Sequence, residues 1–450
     1  MRVRLKLFCF ALLAVTFPAS VWATNGYFTH GVSTAEKGLA GAGVAFSQDT
    51  LAAGNNPAGM VWQGARYDIG GAWFAPMRSY SVTGGPTPGC SPQGCTFSIG
   101  DGDQSIDSEN EGFLIPQLGY NWVIDDDSTV GISVFGNGGM NTEYKGGTAL
   151  VFDGVATFNT LDGTFGAGTA GVDLAQLFIA TTYAAKLSDK TSWGISGIIA
   201  YQRFEAKGLA NFSPFSQDPS NLTNNDHDTS TGIGIRLGFQ TEISPGVRFG
   251  AAYQPEIDMS EFDDYAGLFA KDGDFDIPSN LTLGVAIDIG NHGVLVVDLQ
   301  QINYEDVPSV SNSIFNFDTC APGTGPGGSG AGDGCLGGDD GAGFGWEDIQ
   351  IVKLGYQWQE GKMTWRVGVS VSEQPIPDEE VVFNILAPGV IEETLTFGFT
   401  RQLDANSSLN FAAMYAPNVS VEGTSNFDPS QEVELEMDQY ELVLSYNRRL

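Results

Sequence analysis

The residues able to do covalent or metal chemistry are few and poorly spaced for it. Only three histidines occur, His30, His227 and His292. A serine hydrolase needs one of them beside a serine, and only His227, in a polar Asn/Asp stretch, is placed to try. Gly323-x-Gly325-x-x-Gly328 has the spacing of a dinucleotide fingerprint, but Pro326 interrupts it and it opens no helix. No Lys-Ser/Thr follows it to make a phosphate loop. Asp101 to Gly112 has the acidity of a calcium loop without its central Gly or closing Glu. Zinc would need histidines near paired cysteines, and none lies near Cys90/Cys95 or Cys320/Cys335. The sequence points away from an enzyme and from a bound metal or cofactor.

Those sparse groups sit in a chain of 450 residues with 54 acidic against 20 basic residues, a net charge of −34, of which only 16% is charged. That balance repels phosphate backbones, and no stripe of Lys or Arg offsets it, which excludes nucleic-acid binding. Aromatics at 11% and hydrophobics at 42% exclude disorder, because they supply ample apolar surface to bury. Residues 1–23 read as a secretory signal. Arg2, Arg4 and Lys6 precede an apolar run from Leu7 to Val15, and Val21-Trp22-Ala23 offers a cleavage site. Cys9 leaves with the signal. The remaining cysteines form two close pairs in Gly/Pro-rich stretches, so the exported chain is expected to carry disulfides Cys90–Cys95 and Cys320–Cys335.

Beyond the signal no stretch of 18 apolar residues remains to span a membrane as a helix. Period-two segments fill the chain instead. Ile233, Ile235, Leu237, Phe239 alternate with Gly232, Gly234, Arg236, Gly238, and similar runs start near Val247, Leu281, Met363 and Leu409. A sandwich and a membrane barrel both need such strands. Connection lengths separate the two: six short turns, such as Ser244-Pro245-Gly246 and Gln359-Glu360-Gly361, alternate with seven long Gly/Asp/Asn-rich loops. Short periplasmic turns and long outer loops are the asymmetry of an outer-membrane barrel. The expected fold is all-β, a fourteen-stranded antiparallel transmembrane barrel over residues 65–450, in the bacterial outer membrane. Inward positions mix Gly, Ala, Ser, Thr and Gln with apolar Phe135, Phe204 and Met414 and few charges, which suits a plug or an amphipathic ligand better than a water-filled pore.

Residues 24–64 do not alternate and are too apolar for a free tail. Ser33-Thr34-Ala35-Glu36 has capping-box spacing, and Gly38 would stop that helix after about one turn. Asp49 can cap a second short helix through Leu51-Ala52-Ala53, ended by Gly54 and by Asn56 before Pro57. Short Gly/Ala-rich helices at the N-terminal side of a barrel fit its lumen as a plug.

Tyr27-Phe28, the run from Gly38 to Ala45, Asp49 and Asn56-Pro57-Ala58-Gly59 resemble the N-terminal hatch of the FadL/TodX family of outer-membrane transporters of hydrophobic compounds. The segments from Gly136 to Tyr144, from Ile277 to Gly284 and from Pro375 to Asp378 resemble the same family. The resemblance implies a monomeric barrel that captures long-chain fatty acids or other hydrophobic molecules outside. It also implies a hatch, with Phe28, Asp49 and Asn56 to Gly59 as gating residues, and a sideways exit at a kink in the third strand. That strand is read as 128–136, with Gly136, Gly138 and Gly139 where a kink fits. A fatty-acid carboxylate would need a cation, and Arg236 or Arg248 is the expected partner, with Phe135 and Phe204 lining the apolar pocket. The competing partners for those arginines are Asp258, Asp288 and Asp298. Two features depart from the family: the chain ends in Leu450 without a terminal Phe, and its outer loops carry paired cysteines. The acidic loops read as a solvated outer face that meets lipopolysaccharide. Alternative readings are a channel for aromatic hydrocarbons, a general porin and a surface adhesin.

Overall fold

The computed structural model describes residues 25–87, 97–152, 157–324 and 328–450, with the backbone alone at 90–91 and 94–95. The expected signal and the side chains of Cys90 and Cys95 lie outside the described residues.

Alternation converts directly into a closed wall. The strands of the barrel are β1 Arg66–Thr83, β2 Phe113–Asp125, β3 Ser128–Asn141, β4 Gly171–Ser188, β5 Thr191–Lys207, β6 Asp228–Ser244 and β7 Val247–Gln254. They continue as β8 Asn280–Ile289, β9 Gly293–Ile302, β10 Ile349–Glu360, β11 Met363–Ser372, β12 Glu393–Gln402, β13 Ser407–Thr424 and β14 Glu432–Arg449. Each pairs antiparallel with the next, and β14 closes on β1 from Arg66 opposite Arg449 to Thr83 opposite Glu432. Closure leaves no free edge to the sheet as a whole. At the end of the seam Leu450 N donates to Ala65 O at 2.9 Å.

The outward positions form an apolar surface. Ile69, Trp73, Leu114, Ile132, Ile179, Ile199, Ile233, Leu299 and Leu442 are all exposed on strands. Exposure of so many large apolar side chains on one continuous wall is tenable against lipid and not against water. No helix among the described residues is long and apolar enough to cross a membrane.

Three of the expected long loops, at 78–111, 145–172 and 418–436, are partly strand. Segment 418–436 is mostly wall, because β13 runs to Thr424 and β14 starts at Glu432. Pro417 and a register shift between Ala416 and Val419 interrupt the alternation there, which hides the continuation in the sequence. Likewise β1 runs to Thr83, and Gln104–Asp107 pairs with its outer end beyond the reach of β2. Thr148–Phe152 and Phe158–Asp162 form a hairpin that joins Ser98–Ile99 in a three-stranded outer sheet.

The lumen is filled by residues 25–65. Helix Thr34–Lys37 forms because Ser33 caps Glu36 N and the Glu36 carboxylate returns to Ser33 N. A 3₁₀ turn at Thr50–Gly54 is capped by Asp49, and a second at Pro57–Trp62 by Asn56, with Pro57 at the first position where its missing N–H costs nothing. Glycines on the inner wall make room for this segment. A Cβ on Gly238 would lie 2.1 Å from Asn56 Oδ1, on Gly250 2.1 Å from Val44 O, and on Gly194 2.5 Å from the Pro57 carbonyl carbon.

Candidate passage site at the split wall

The wall is interrupted at one place among its seams. Strands β2 and β3 pair from Asp125/Ser128 up to Gln117/Phe135 and then separate. Beyond that point β2 keeps its pairing with β1 as far as Phe113, and β3 keeps its pairing with β4 as far as Asn141. The local sequence explains the separation. Pro116, the first β2 residue past the last pair, cannot donate a ladder hydrogen bond. On β3 the register against β4 slips between Gln176 and Leu177, leaving Asn137 as the extra residue between Gly136 and Gly138. Asn137 Nδ2 donates to Gln176 Oε1 at 2.9 Å, which holds the bulged side chain on the inner face.

The hatch takes the place β2 vacates. Phe28 bridges Gly138, Thr29 N donates to Asn137 O at 2.8 Å, and Gly139 N donates to Tyr27 O at 2.9 Å. A cavity of about 530 Å³ lies against this bridge. Its inner lining is Tyr27, Phe28 and His30 of the hatch, Phe74, Pro76 and Arg78 of β1, Ile115 of β2, and Met437, Gln439 and Glu441 of β14. Its lining also includes Leu114, Ala175 and Tyr201, which are exposed on the outer, lipid-facing side. The cavity thus extends from the hatch through the split in the wall.

Buried polar contacts seat the hatch on the wall. Lys37 pairs with Glu441, both almost wholly buried. Asp298 Oδ2 accepts Gly43 N at 2.7 Å and Val44 N at 2.9 Å, and Asp68 Oδ2 accepts the Thr50 hydroxyl at 2.7 Å. Asn56 Nδ2 donates to Val44 O at 2.6 Å and to Phe239 O at 3.0 Å, while its Oδ1 accepts Ala58 N. The Asn56-Pro57-Ala58-Gly59 motif is thereby a cap, a turn start and a strut to β6 in one. From outside, Tyr27 and Phe28 are covered by Tyr304 and Trp346, with Tyr304 Oη donating to Asn25 O at 2.5 Å and accepting Tyr27 N at 3.2 Å.

The residues singled out from the sequence fall into separate places. Phe28, Gly136, Gly138 and Gly139 come together at the cavity. Arg236 and Arg248 do not line it. Arg236 is buried and bonds Gln254 at 2.6 Å, whereas Arg248 pairs with Asp288 and stacks on Phe46 at 5.1 Å, well away from the split. Their strand phase, inward and polar, made them attractive, but phase alone does not give height along the barrel. Phe135 packs beside the hatch against Phe178, and Phe204 lies under the outer loops with Phe269, lining a smaller cavity of about 40 Å³. Reasoning from sequence missed the other lip of the split, though Pro116 within an alternating strand marks an edge and could have given it. It also missed Arg78. Cys320 and Cys335 form the expected disulfide. In the outer loop after β7, Glu256, Asp258 and Asp276 each bring a carboxylate oxygen within 4.8 Å of the others.

A closed barrel with its lumen filled by its own N-terminal segment, a split wall and a cavity joining the two is a plugged β-barrel of the membrane class. Its fold is that of the FadL/TodX transporters. The Pseudomonas putida toluene transporter TodX superposes with a TM-score of 0.61 at 16% identity, over 94% of this chain and 99% of that one. A Pseudomonas aeruginosa FadL homologue gives 0.62 at 15% identity, over 94% and 99%. The Ralstonia pickettii toluene transporter TbuX gives 0.56 at 15% identity, also over 94% and 99%. In sequence the chain matches no family model and no curated protein.

Proposed function

We propose that this protein is a monomeric outer-membrane channel that takes up hydrophobic small molecules and releases them sideways into the membrane between β2 and β3. The cavity that reaches from the hatch to the lipid-facing surface carries this reading. An apolar solute leaving there never meets bulk water, and a lateral exit avoids the cost of hydrating it. The acidic outer loops fit a solvated face among lipopolysaccharide, with the N-terminal signal directing export. Among hydrophobic solutes we favour long-chain fatty acids, because the lining of the cavity runs along β1 from Phe74 to Arg78, four residues or about 13 Å at ~3.3 Å per residue. Monoaromatic hydrocarbons are the second reading, supported by the toluene transporters that share the fold.

A cross-link that closes the split tests this. A Cβ on Gly136 would lie 2.7 Å from Ile115 Cγ2, so the double variant Ile115→Cys, Gly136→Cys is positioned to form a disulfide. Uptake of labelled oleate and toluene by cells should fall when the pair is oxidised and return on reduction. Equal uptake in both states would remove the lateral route.

A further inference from the structure

The charged groups on the cavity wall do not cancel. Glu441 is paired with Lys37, and Asp173 with Arg203 and His227. Arg78 also lines the cavity, is only 7% exposed, and among the described residues has no carboxylate within ion-pair distance, unlike Arg66, Arg203 and Arg248. Its Nη atoms donate to two backbone oxygens, Asn141 O and Asn110 O, and its Nε has no partner. A buried guanidinium satisfied only by neutral acceptors retains its full charge and unused donors in a low-dielectric site, where an arriving anion gains most.

Position gives this cation a meaning. Arg78 stands opposite Met437 near the outer end of the cavity, and Phe74 stands opposite Glu441 four residues nearer the periplasm. On β1 the lining between them is apolar, Phe74 and Pro76, and on β14 Gln439, hydrogen-bonded to His30, separates Met437 from Glu441. The split, flanked by Phe113 to Pro116, lies level with Gly71 to Phe74, below Arg78. Building on the transport reading, we infer that Arg78 is the headgroup residue of this cavity. It selects an amphipath with a single carboxylate and an aliphatic tail, bound head outward with the tail at the split.

The experiment compares laurate, dodecanol and toluene binding at pH 8 to the full protein in phosphatidylcholine nanodiscs, for wild type, Arg78→Gln and Arg78→Lys. Laurate should bind wild type at least about tenfold more tightly than dodecanol, as a charge-assisted hydrogen bond allows. Arg78→Gln should bring laurate down to the level of dodecanol while leaving dodecanol and toluene unchanged, and Arg78→Lys should keep part of the preference. Dodecanol binding that falls in parallel with laurate would make Arg78 a structural strut and overturn the inference. Equal binding of laurate and dodecanol by wild type would overturn it while leaving hydrophobic transport standing. If none of the three probes binds, the transport reading fails together with the inference.

Discussion

Phe28 of the hatch and Gly138 of β3 face each other as an antiparallel bridge, so the strand edge that β2 abandons is paired with the plug. The hatch and the split edge of β3 therefore share one set of hydrogen bonds. A Cβ at Gly138 would lie 2.1 Å from Tyr27 O. Gly138→Val should displace residues 27–29 while the rest of the wall stays paired. The check is amide exchange, which should quicken at Thr29 and Gly139 and stay slow along β5 and β6. Unchanged protection at Thr29 would mean that the bridge does not hold the hatch.

Lys37 and Glu441 form the buried ion pair between the hatch helix and β14. Removing one partner leaves the other as an uncompensated buried charge, at a cost of about 3–5 kcal/mol. Lys37→Met should unseat the hatch and raise ion conductance in planar bilayers, whereas Lys37→Met combined with Glu441→Leu should restore much of the seal. Equal low conductance in all three proteins would show that the pair contributes little to seating.

The barrel was legible in the sequence because lipid on one side and hatch on the other force strict alternation. The positions of Ile233, Ile235 and Leu237 on the outer face, and of Gly234 and Gly238 on the inner, follow from period two alone. The hatch was legible through the caps Ser33 and Asp49, short side chains ahead of helical turns, whereas Asn56, expected to end the second helix, caps a further turn at Pro57–Trp62. Height along the barrel was not. Arg236, Arg248 and Arg78 share an inward phase, and only the register of β1 against β14 puts Arg78 at the cavity. Similarly, the glycines of β3 mark flexibility without saying that β2 departs there. That conclusion needs the pairing of Gln117 with Phe135 to be the last of its ladder.

Cys320 and Cys335 close a loop of sequence separation 15 within the outer segment between β9 and β10. That loop lies on neighbouring loops: Gly330 N donates to Ser216 O at 2.7 Å and Lys271 N to Gly338 O at 3.0 Å. A loop of this size is worth about 3 kcal/mol of chain entropy. Replacing both cysteines with serine should open residues 321–334 to limited proteolysis and leave the melting temperature of the barrel unchanged. Resistance equal to wild type would assign the order of this loop to its packing instead.

Burial, opposed by the Met259 N–H and reinforced by the nearby Asp274 and Glu256 carboxylates, pushes the Asp276 carboxyl up to about 7. The folded loop thus holds this proton more tightly than the unfolded chain does. Its electrostatic penalty is complete above about pH 7 and is relieved progressively as pH falls from there toward the ordinary 3.8. Residues 255–279 should exchange amide protons faster at pH 8 than at pH 5.5, after correction for intrinsic rates, and Asp276→Asn should remove the difference. A loop more protected at pH 8 would reverse the sign and refute the assignment.

Tyr304 ties the outer loops to the first residues of the hatch. Its hydroxyl takes part in both hydrogen bonds to residues 25 and 27, and its ring meets Trp346 edge-on with centroids 5.1 Å apart. Trp346 is in turn fixed by Asn384, which accepts its indole N–H at 2.6 Å. Tyr304→Phe keeps the ring stack and removes the hydroxyl, at a cost of about 1–3 kcal/mol for the buried groups left without partners. Because the cap, the helix and both 3₁₀ turns have their own contacts to the wall, the loss should be local. Exchange should quicken at residues 27–29 and stay unchanged at 34–62, and Trp346→Ala should extend the loosening to the outer loop around Phe344. Loosening of the whole hatch by Tyr304→Phe would mean instead that the plug moves as one rigid body, with the outer loops as its principal anchor.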